Sequence, residues 1–230
     1  MQAIVLVGGQ GTRLRSVVSE LPKVMAPIGK RPFLSLLLDR LQSQGVNEVI
    51  LAVGYLREPL MARFGDRHNG IALRYAVETE PLGTGGALRN ALAMVERFPV
   101  FALNGDTYLE LDCRAMERAH VAAGVELTIA LRRVVENERY GCVTLAGDRI
   151  VGFAAQGVRT RLVSAGVYLF GGRLLDDPAL PNSFSFERDF LEPRVPVIRP
   201  LAFETTGYFI DIGIPEDYRR AQRELPRREL

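Results

Sequence analysis

Two cysteines and two histidines are all that the 230 residues hold of the side chains most used as thiol nucleophiles, imidazole bases and soft metal ligands. Cys113 and Cys142 show neither metal-ligand spacing nor a disulfide framework, and are expected as reduced thiols in or just under the core. His68 and His120 fall outside every glycine-rich or acidic motif. With no Ser–His or Cys–His constellation in view, both are expected at the surface. An excess of charge is also missing: 29 Lys and Arg stand against 27 Asp and Glu, which excludes the basic stripe of a nucleic-acid binder. No apolar run approaches membrane-spanning length, and no low-complexity tract stands out. The opening MQAIVLVGGQ has no basic lead, and its apolar run stops at a glycine pair, so it is expected as a buried strand and not a signal peptide. These absences point to a cytoplasmic enzyme with neither nucleic acid nor membrane as partner. The late cluster Arg219, Arg220, Arg223, Arg227 and Arg228 reads as a solvated helix face whose cations complement the helix dipole.

What is present is ordinary for a globular protein: 47% hydrophobic and 24% charged residues, in a length suited to one well-buried α/β domain. The first half reads as strand–helix units. Ala3 to Val7 is a continuous apolar run ending in glycine, the pattern of a strand buried on both faces. Pro32 opens a helix over Phe33 to Gln44, closed by Gly45. Strands follow at Glu48–Val53, Ala72–Val77 and Val100–Leu103, with helices at Glu58–Phe64 and Thr84–Arg97 between them. Such alternation implies a mostly parallel sheet, with ligands at the carboxyl ends of its strands. In the second half, strands are expected at Glu126–Arg132, Cys142–Leu145, Ile150–Phe153, Val163–Phe170 and Val195–Pro200, a helix near Phe186–Leu191, and a last helix from Pro215. The expected fold is a single Rossmann-like α/β domain over 1–230, a mostly parallel mixed sheet flanked by helices. A nucleotide-binding half would run to about 110 and a sugar-binding half over 111–230.

Gly8-Gly9-Gln10-Gly11-Thr12-Arg13-Leu14 sits where the first strand ends. Its glycines let backbone approach a ligand, its successive amides form an anion-binding concavity, and Arg13 offers a planar fork for phosphate. Neither a P-loop nor a dinucleotide fingerprint fits, since Gly11 is followed by Thr12-Arg13 and no glycine lies near Leu14. A tight turn without a ligand is the plain alternative. Glu78-Thr79-Glu80-Pro81-Leu82-Gly83-Thr84-Gly85-Gly86 is a second glycine-rich loop, leading into a helix start that favours nucleotide groups, with Thr84 a possible cap. Asn104-Gly105-Asp106 ends a strand at the carboxyl edge. Asp106 there is either a Mg²⁺ ligand or an ordinary turn residue.

The first loop, followed by Pro22-Lys23, resembles the N-terminal signature of the sugar-1-phosphate nucleotidyltransferases, whose architecture is related to that of the GT-A glycosyltransferases. The resemblance implies that Arg13, Lys23 and Asp106 carry the chemistry. It assigns Leu6, Gly8, Gly9, Gly11, Thr12, Arg13, Lys23, Glu78, Glu80, Gly83, Thr84, Gly85, Asn104 and Asp106 to nucleotide binding. It makes Asp106 and Asp211, the latter in Ile210-Asp211-Ile212-Gly213, ligands of a catalytic Mg²⁺. On the sugar side it implies Gly105, Gly141 of Tyr140-Gly141-Cys142-Val143, Ser164 and Gly166 of Ser164-Ala165-Gly166-Val167-Tyr168, and Glu187 and Asp189 of the acidic segment. The form Glu-Pro-Leu-Gly-Thr-Gly-Gly is closest to members that use guanine nucleotides. A carboxylate such as Glu78 or Glu80 would then accept the base's N1–H and N2–H.

Arg13-Leu14-Arg15-Ser16-Val17-Val18, Met25-Ala26-Pro27-Ile28 and Glu80 to Ala87 are most similar to short members acting on D-glycero-α-D-manno-heptose 1-phosphate. The implied partners are therefore GTP and a sugar 1-phosphate, with a homodimer as the default assembly. One departure stands out: many relatives carry Glu-Lys where this chain has Ala155-Gln156, so that Arg188 or Arg159 would have to hold the acceptor phosphate. Mannose 1-phosphate with GTP and a muramate 1-phosphate with UTP remain alternatives. A glycosyltransferase would usually show Asp-x-Asp, whereas Asp106 is followed by Thr107-Tyr108. A nucleotide-binding regulatory protein without catalysis is the remaining class.

Overall fold

The computed structural model describes residues 1–9, 14, 21–135, 142–154, 160–172 and 174–228. Its first elements are β1 (Gln2–Leu6), the short strands β2 (Pro27–Ile28) and β3 (Arg31–Pro32), and helix α1 (Phe33–Ser43). Then come β4 (Glu48–Val53), α2 (Arg57–Phe64), β5 (Arg67–His68), β6 (Ile71–Val77), α3 (Gly83–Leu92), β7 (Val100–Asn104) and β8 (Thr107–Leu109). The second half supplies α4 (Cys113–Ala123), β9 (Leu127–Val135), β10 (Cys142–Ala146), β11 (Arg149–Ala154) and β12 (Thr160–Phe170). It ends with a π-helical turn at Phe186–Leu191, α5 (Glu192–Ile198), β13 (Leu201–Thr205), β14 (Phe209–Asp211) and α6 (Pro215–Glu224).

Ten strands form one sheet in the order β10-β11-β13-β9-β12-β7-β1-β4-β6-β5. β1, β4, β6 and β7 pair in parallel, as the strand–helix alternation of the first half requires. β12 then joins this set antiparallel to β7, and β9 joins antiparallel to β12. The sheet thus runs without a break through both halves of the chain.

Alternation along the central strands explains why they carry no polar face. Ala3, Val5, Val49, Leu51 and Phe101 pack under α1 and α4, while Ile4, Ile50, Ala52 and Ala102 pack under α3 on the opposite face. Leu34, Leu37, Leu38 and Leu41 form the buried stripe of α1. Ala87, Leu88, Ala91 and Leu92 form that of α3. A third cluster joins Leu14, Phe33, Ile210 and Tyr218, so α6 seals the corner where β14 pairs with β8.

Three expectations are corrected. Val195–Pro200 is not a strand: residues Glu192–Ile198 form α5, and the strand begins at Leu201. The β-branched run Val195, Val197, Ile198 suggested alternation, but Pro193 sits in the first helical turn, where its missing N–H costs little, and Val197 is 86% exposed. The helix expected to reach Arg97 stops at Leu92. His120 is no surface residue; it is 4% exposed under β9, sharing a 2.8 Å hydrogen bond with Thr128 Oγ1. The helix that carries it, α4, was not read from the sequence at all.

Candidate active site

The carboxyl ends of β7, β1, β4 and β6 open into a cavity of about 610 Å³, of the size that takes a nucleotide-sized ligand. Its lining includes Leu6, Gly8, Gly9, Lys23, Glu78, Glu80, Gly83, Thr84, Asn104, Gly105 and Asp106. Apart from Lys23 these come from three separate strand ends, those of β1, β6 and β7, and parallel pairing brings them together: Leu6 lies beside Ala52 on one side and Asn104 on the other. Gly11, Thr12, Arg13 and Gly141 lie outside the described residues, as do Arg159, Ala155 and Gln156.

At the β7 end, Lys23 Nζ donates to Asp106 Oδ2 at 2.5 Å, with the lysine side chain only 12% exposed. Lys23 reaches this point from a short 3₁₀ turn, Lys23–Met25, that follows Pro22 and buries Val24. Asp106 follows β7, and its carbonyl accepts from Ile212 N at 2.9 Å. That bond and the pairing of Asp211 with Thr107 place Asp211 beside it. A Cβ on Gly213 would lie 2.7 Å from Asp211 Oδ1 and 3.1 Å from Lys23 Nζ, so this glycine leaves room for both groups to converge.

Two carboxylates and one ammonium meet here. The described residues contain no group of three or more acidic, His or Cys side chains able to cage a metal by themselves. Asp106 at the cavity wall with Asp211 just behind it fits Mg²⁺, which takes few protein carboxylates and completes its shell with water and phosphate oxygens. Transition metals that prefer His or Cys find no such donors at this point.

At the β6 end, Glu78 is wedged between the β1 and β4 loops. Its Oε1 lies 3.1 Å from where Gly8 would carry a Cβ, and its Oε2 lies 3.3 Å from the corresponding point on Gly54. Burial pushes its carboxyl above the usual range, opposed by a hydrogen bond from Leu82 N at 3.3 Å. Gly54, Tyr55 and Arg57 line the same end and were missed from the sequence. Their signal was positional, since they follow a parallel strand at the edge where ligands bind.

The glycines of the second loop make room for another part of the chain. Gly83, with φ +68°, lines the cavity, but a Cβ there would lie 2.5 Å from Phe184 O. Gly85 lies under the Phe184 ring, where a Cβ would be 2.1 Å from Cε2, and its N–H donates to Phe184 O at 2.9 Å. Gly86 faces Asn182 O in the same way, at 2.4 Å. Gly85, expected against the nucleotide, is thus a packing position outside the cavity lining. These glycines let residues 182–186 lie directly on the start of α3.

Thr84 is not the cap of α3, which is Leu82. Its hydroxyl accepts from Phe186 N at 2.8 Å and donates to Glu187 Oε2 at 3.1 Å. Glu187 Oε1 accepts from Tyr168 OH at 3.1 Å, and Tyr168 OH accepts in turn from Ser164 Oγ at 3.4 Å. Ser164, Tyr168, Glu187 and Thr84 are therefore one chain of hydrogen bonds that ties β12 to the second glycine-rich loop. Gly166, with φ +67°, leaves space for Asn104, whose Nδ2 would be 2.8 Å from a Cβ; Gly105 N–H donates to Leu6 O at 2.9 Å. Asp189 is exposed, caps Ser185 N at 2.7 Å and pairs with Arg188, whose hydrogen bond holds its carboxyl below the usual range. Ser164, Gly166, Glu187, Asp189 and Asp211 lie outside the lining of the cavity itself.

Comparison with known proteins gives consistent matches over nearly the full length. A model of the nucleotidyl transferase family matches residues 2–228. The D-glycero-α-D-manno-heptose 1-phosphate guanylyltransferase of Aneurinibacillus thermoaerophilus is 45% identical over 226 residues, 98% of either chain. The enzyme of the same description from Campylobacter jejuni is 39% identical over 220 residues, 95% of this chain and 97% of its own. Among solved structures, HddC from Yersinia pseudotuberculosis, determined also in complex with GMP-PN, superposes with a TM-score of 0.86 at 35% identity, covering 97% of this chain and 99% of that one.

Proposed function

The chain belongs to the nucleotidyl transferase family, and from that premise we propose that it transfers GMP from GTP to D-glycero-α-D-manno-heptose 1-phosphate, giving GDP-heptose and pyrophosphate. The observation that carries this reading is the Lys23–Asp106 pair, set beside Asp211 at the phosphate end of a nucleotide-sized cavity. The two guanylyltransferases that align over nearly the whole chain support guanine as the base and heptose as the acceptor. The enzyme would act in the cytoplasm, its product would serve surface polysaccharide synthesis, and a homodimer is the expected assembly.

The acceptor phosphate is already an anionic nucleophile, so the reaction needs no general base. This suits a cavity whose lining contains no histidine and no cysteine. The work left to the protein is positioning and charge neutralisation. Lys23 is held by Asp106 at the end of β7 and supplies positive charge where phosphates would lie. Gly9, with nothing within 4 Å of where a Cβ would stand, leaves the backbone open to a close approach there. Asp106 and Asp211 would hold Mg²⁺, which when bound neutralises charge on phosphate oxygens. Asn104 and Gly105 bring β7 backbone and amide up to the same point. On the acceptor side, Glu187 and Ser164 would meet the sugar hydroxyls through lone pairs left over from their bonds to Tyr168 and Thr84. Arg13 lies outside the described residues and belongs to this reading as a phosphate ligand.

The test is pyrophosphate release with Mg²⁺, pairing each of the four nucleoside triphosphates with heptose 1-phosphate, mannose 1-phosphate and a muramate 1-phosphate. Release with GTP and the heptose phosphate is expected. Release only with another pair would overturn the substrate, and none with any pair, in protein that binds nucleotide, would overturn the activity.

A further inference from the structure

We propose that Arg57 reads the O6–N7 edge of guanine, and so contributes the purine half of base selection; the inference rests on the guanine reading above and deepens it.

The geometry of the cavity orders its ends. Along the carboxyl edge the strands run β7, β1, β4, β6. Lys23 and Asp106 mark the β7 end, so phosphates belong there. At the usual interstrand distance of about 4.8 Å, the β6 end is about 14 Å away. A nucleoside triphosphate whose phosphates lie at β7 and β1 therefore carries its base over β4 and β6.

A cation at that far end is too distant to serve the phosphates. Arg57 is such a cation: it lines the cavity from the first turn of α2, in a wall that also holds Tyr55, Glu78, Glu80 and Pro81. Its guanidinium is held in place, with Nη1 donating to Glu78 O at 2.8 Å and Nε pairing with Glu58 at 3.3 Å. Nη2 takes part in neither bond, and Nη1 has a second hydrogen. The fork is thus tethered to the backbone of the residue whose carboxylate faces the same end.

Guanine is the base whose two edges match this arrangement. Its N1–H and N2–H donate, which suits a carboxylate, while O6 and N7 accept side by side, which suits the planar arginine fork. Adenine offers an N6 donor beside N7 and would set donor against donor. Uracil and thymine have no N7. The Tyr55 ring, 47% exposed at the same rim, adds an aromatic surface beside the base.

The experiment is a chemical double-mutant cycle read by calorimetric binding with Mg²⁺ and no acceptor, using GTP, 7-deaza-GTP and ITP. Wild-type protein is expected to bind 7-deaza-GTP about tenfold more weakly than GTP, the scale of a good arginine–guanine contact. Arg57→Met is expected to bind GTP about tenfold more weakly and to treat GTP and 7-deaza-GTP alike, while the ratio of GTP to ITP stays as in wild type. Arg57→Lys, which keeps charge but not the fork, covers the case in which Arg57→Met does not fold and should show a reduced 7-deaza penalty. Equal wild-type affinity for GTP and 7-deaza-GTP, or a penalty unchanged in the variants, overturns the proposal. No binding of GTP at all overturns the guanine reading with it. GTP binding without release of its pyrophosphate when heptose 1-phosphate is the acceptor refutes only the acceptor, so the failures are distinguishable.

Discussion

Replacing Gly85 by alanine separates packing from ligand access. In an ordinary helix the change stabilises by up to about 1 kcal/mol, because glycine is the poorer helix former. Here the new Cβ would sit 2.1 Å from Cε2 and 2.3 Å from Cδ2 of Phe184, a ring 4% exposed. The ring cannot swing aside cheaply. Its own backbone is pinned at both sides, by Phe184 N to Leu82 O at 3.0 Å and Gly85 N to Phe184 O at 2.9 Å, and Arg89 lies 5.6 Å from its centroid. Expelling the ring forfeits about 1.5–3 kcal/mol of burial, and keeping it in place costs about 1–3 kcal/mol of overpacking strain. Either way, with the full helix gain of about 1 kcal/mol set against it, the net is a loss of up to about 2 kcal/mol. With an m-value of about 3 kcal/mol/M, the urea midpoint should fall by up to about 0.7 M. In a Phe184→Ala background the same substitution should cost nothing and show the helix gain instead, which is the coupling a double-mutant cycle isolates. Activity should suffer on the acceptor side, because residues 182–186 lead into Glu187. A Gly85→Ala protein at least as stable as wild type, with a raised KM for GTP, would refute the packing account and return this glycine to the nucleotide.

Three further outcomes follow from the same geometry. Lys23→Met should lower kcat about 10²–10³-fold, the usual loss when one preorganised electrostatic group is removed, and a fall below about tenfold in pyrophosphate release would count against its role. Glu78 accepts from the base only when ionised. Because burial raises its pKa, GTP affinity should weaken as pH falls through that raised value, and Glu78→Ala should narrow the preference for GTP over UTP; an unchanged preference removes Glu78 from base reading. His120 is held neutral by burial, which lowers its folded pKa below the ordinary value of about 6.5. Between those two values the unfolded chain binds more protons than the folded one, so stability rises with pH in that window and is lost as pH falls through it. Urea midpoints measured across it should show this slope in wild type and a shallower one in His120→Gln.

The parallel core was legible because burial on both faces writes itself into sequence as short apolar runs ending in glycine, as in Ala3–Val7 and Glu48–Val53. Part of the cavity lining was legible for a related reason. Gly8, Gly9, Asn104 and Asp106 stand at or just beyond strand ends, where a parallel sheet exposes its loops to one edge. Helix α4 and the helical state of Glu192–Ile198 were not legible. In α4 only Cys113, Met116 and His120 are buried, a stripe too narrow and too polar to stand out. In α5 the β-branched residues follow a proline that starts a helix as readily as it precedes a strand.

By itself, then, the order of residues determined which strands are buried and which segments form loops at their carboxyl ends, since both depend on local composition and on two-residue or glycine-marked patterns. Tertiary structure alone decided what the glycines of the second loop are for. Gly83, Gly85 and Gly86 are spaced as a nucleotide loop would space them, yet the atoms they make room for belong to Asn182 and Phe184, about a hundred residues later. It also decided that Arg57 shares a cavity with Glu78, and that Thr84 shares a hydrogen-bond chain with Glu187 and Tyr168. Such pairings depend on strand order and sheet register, which bring distant residues within hydrogen-bond reach and leave no periodic mark in the chain.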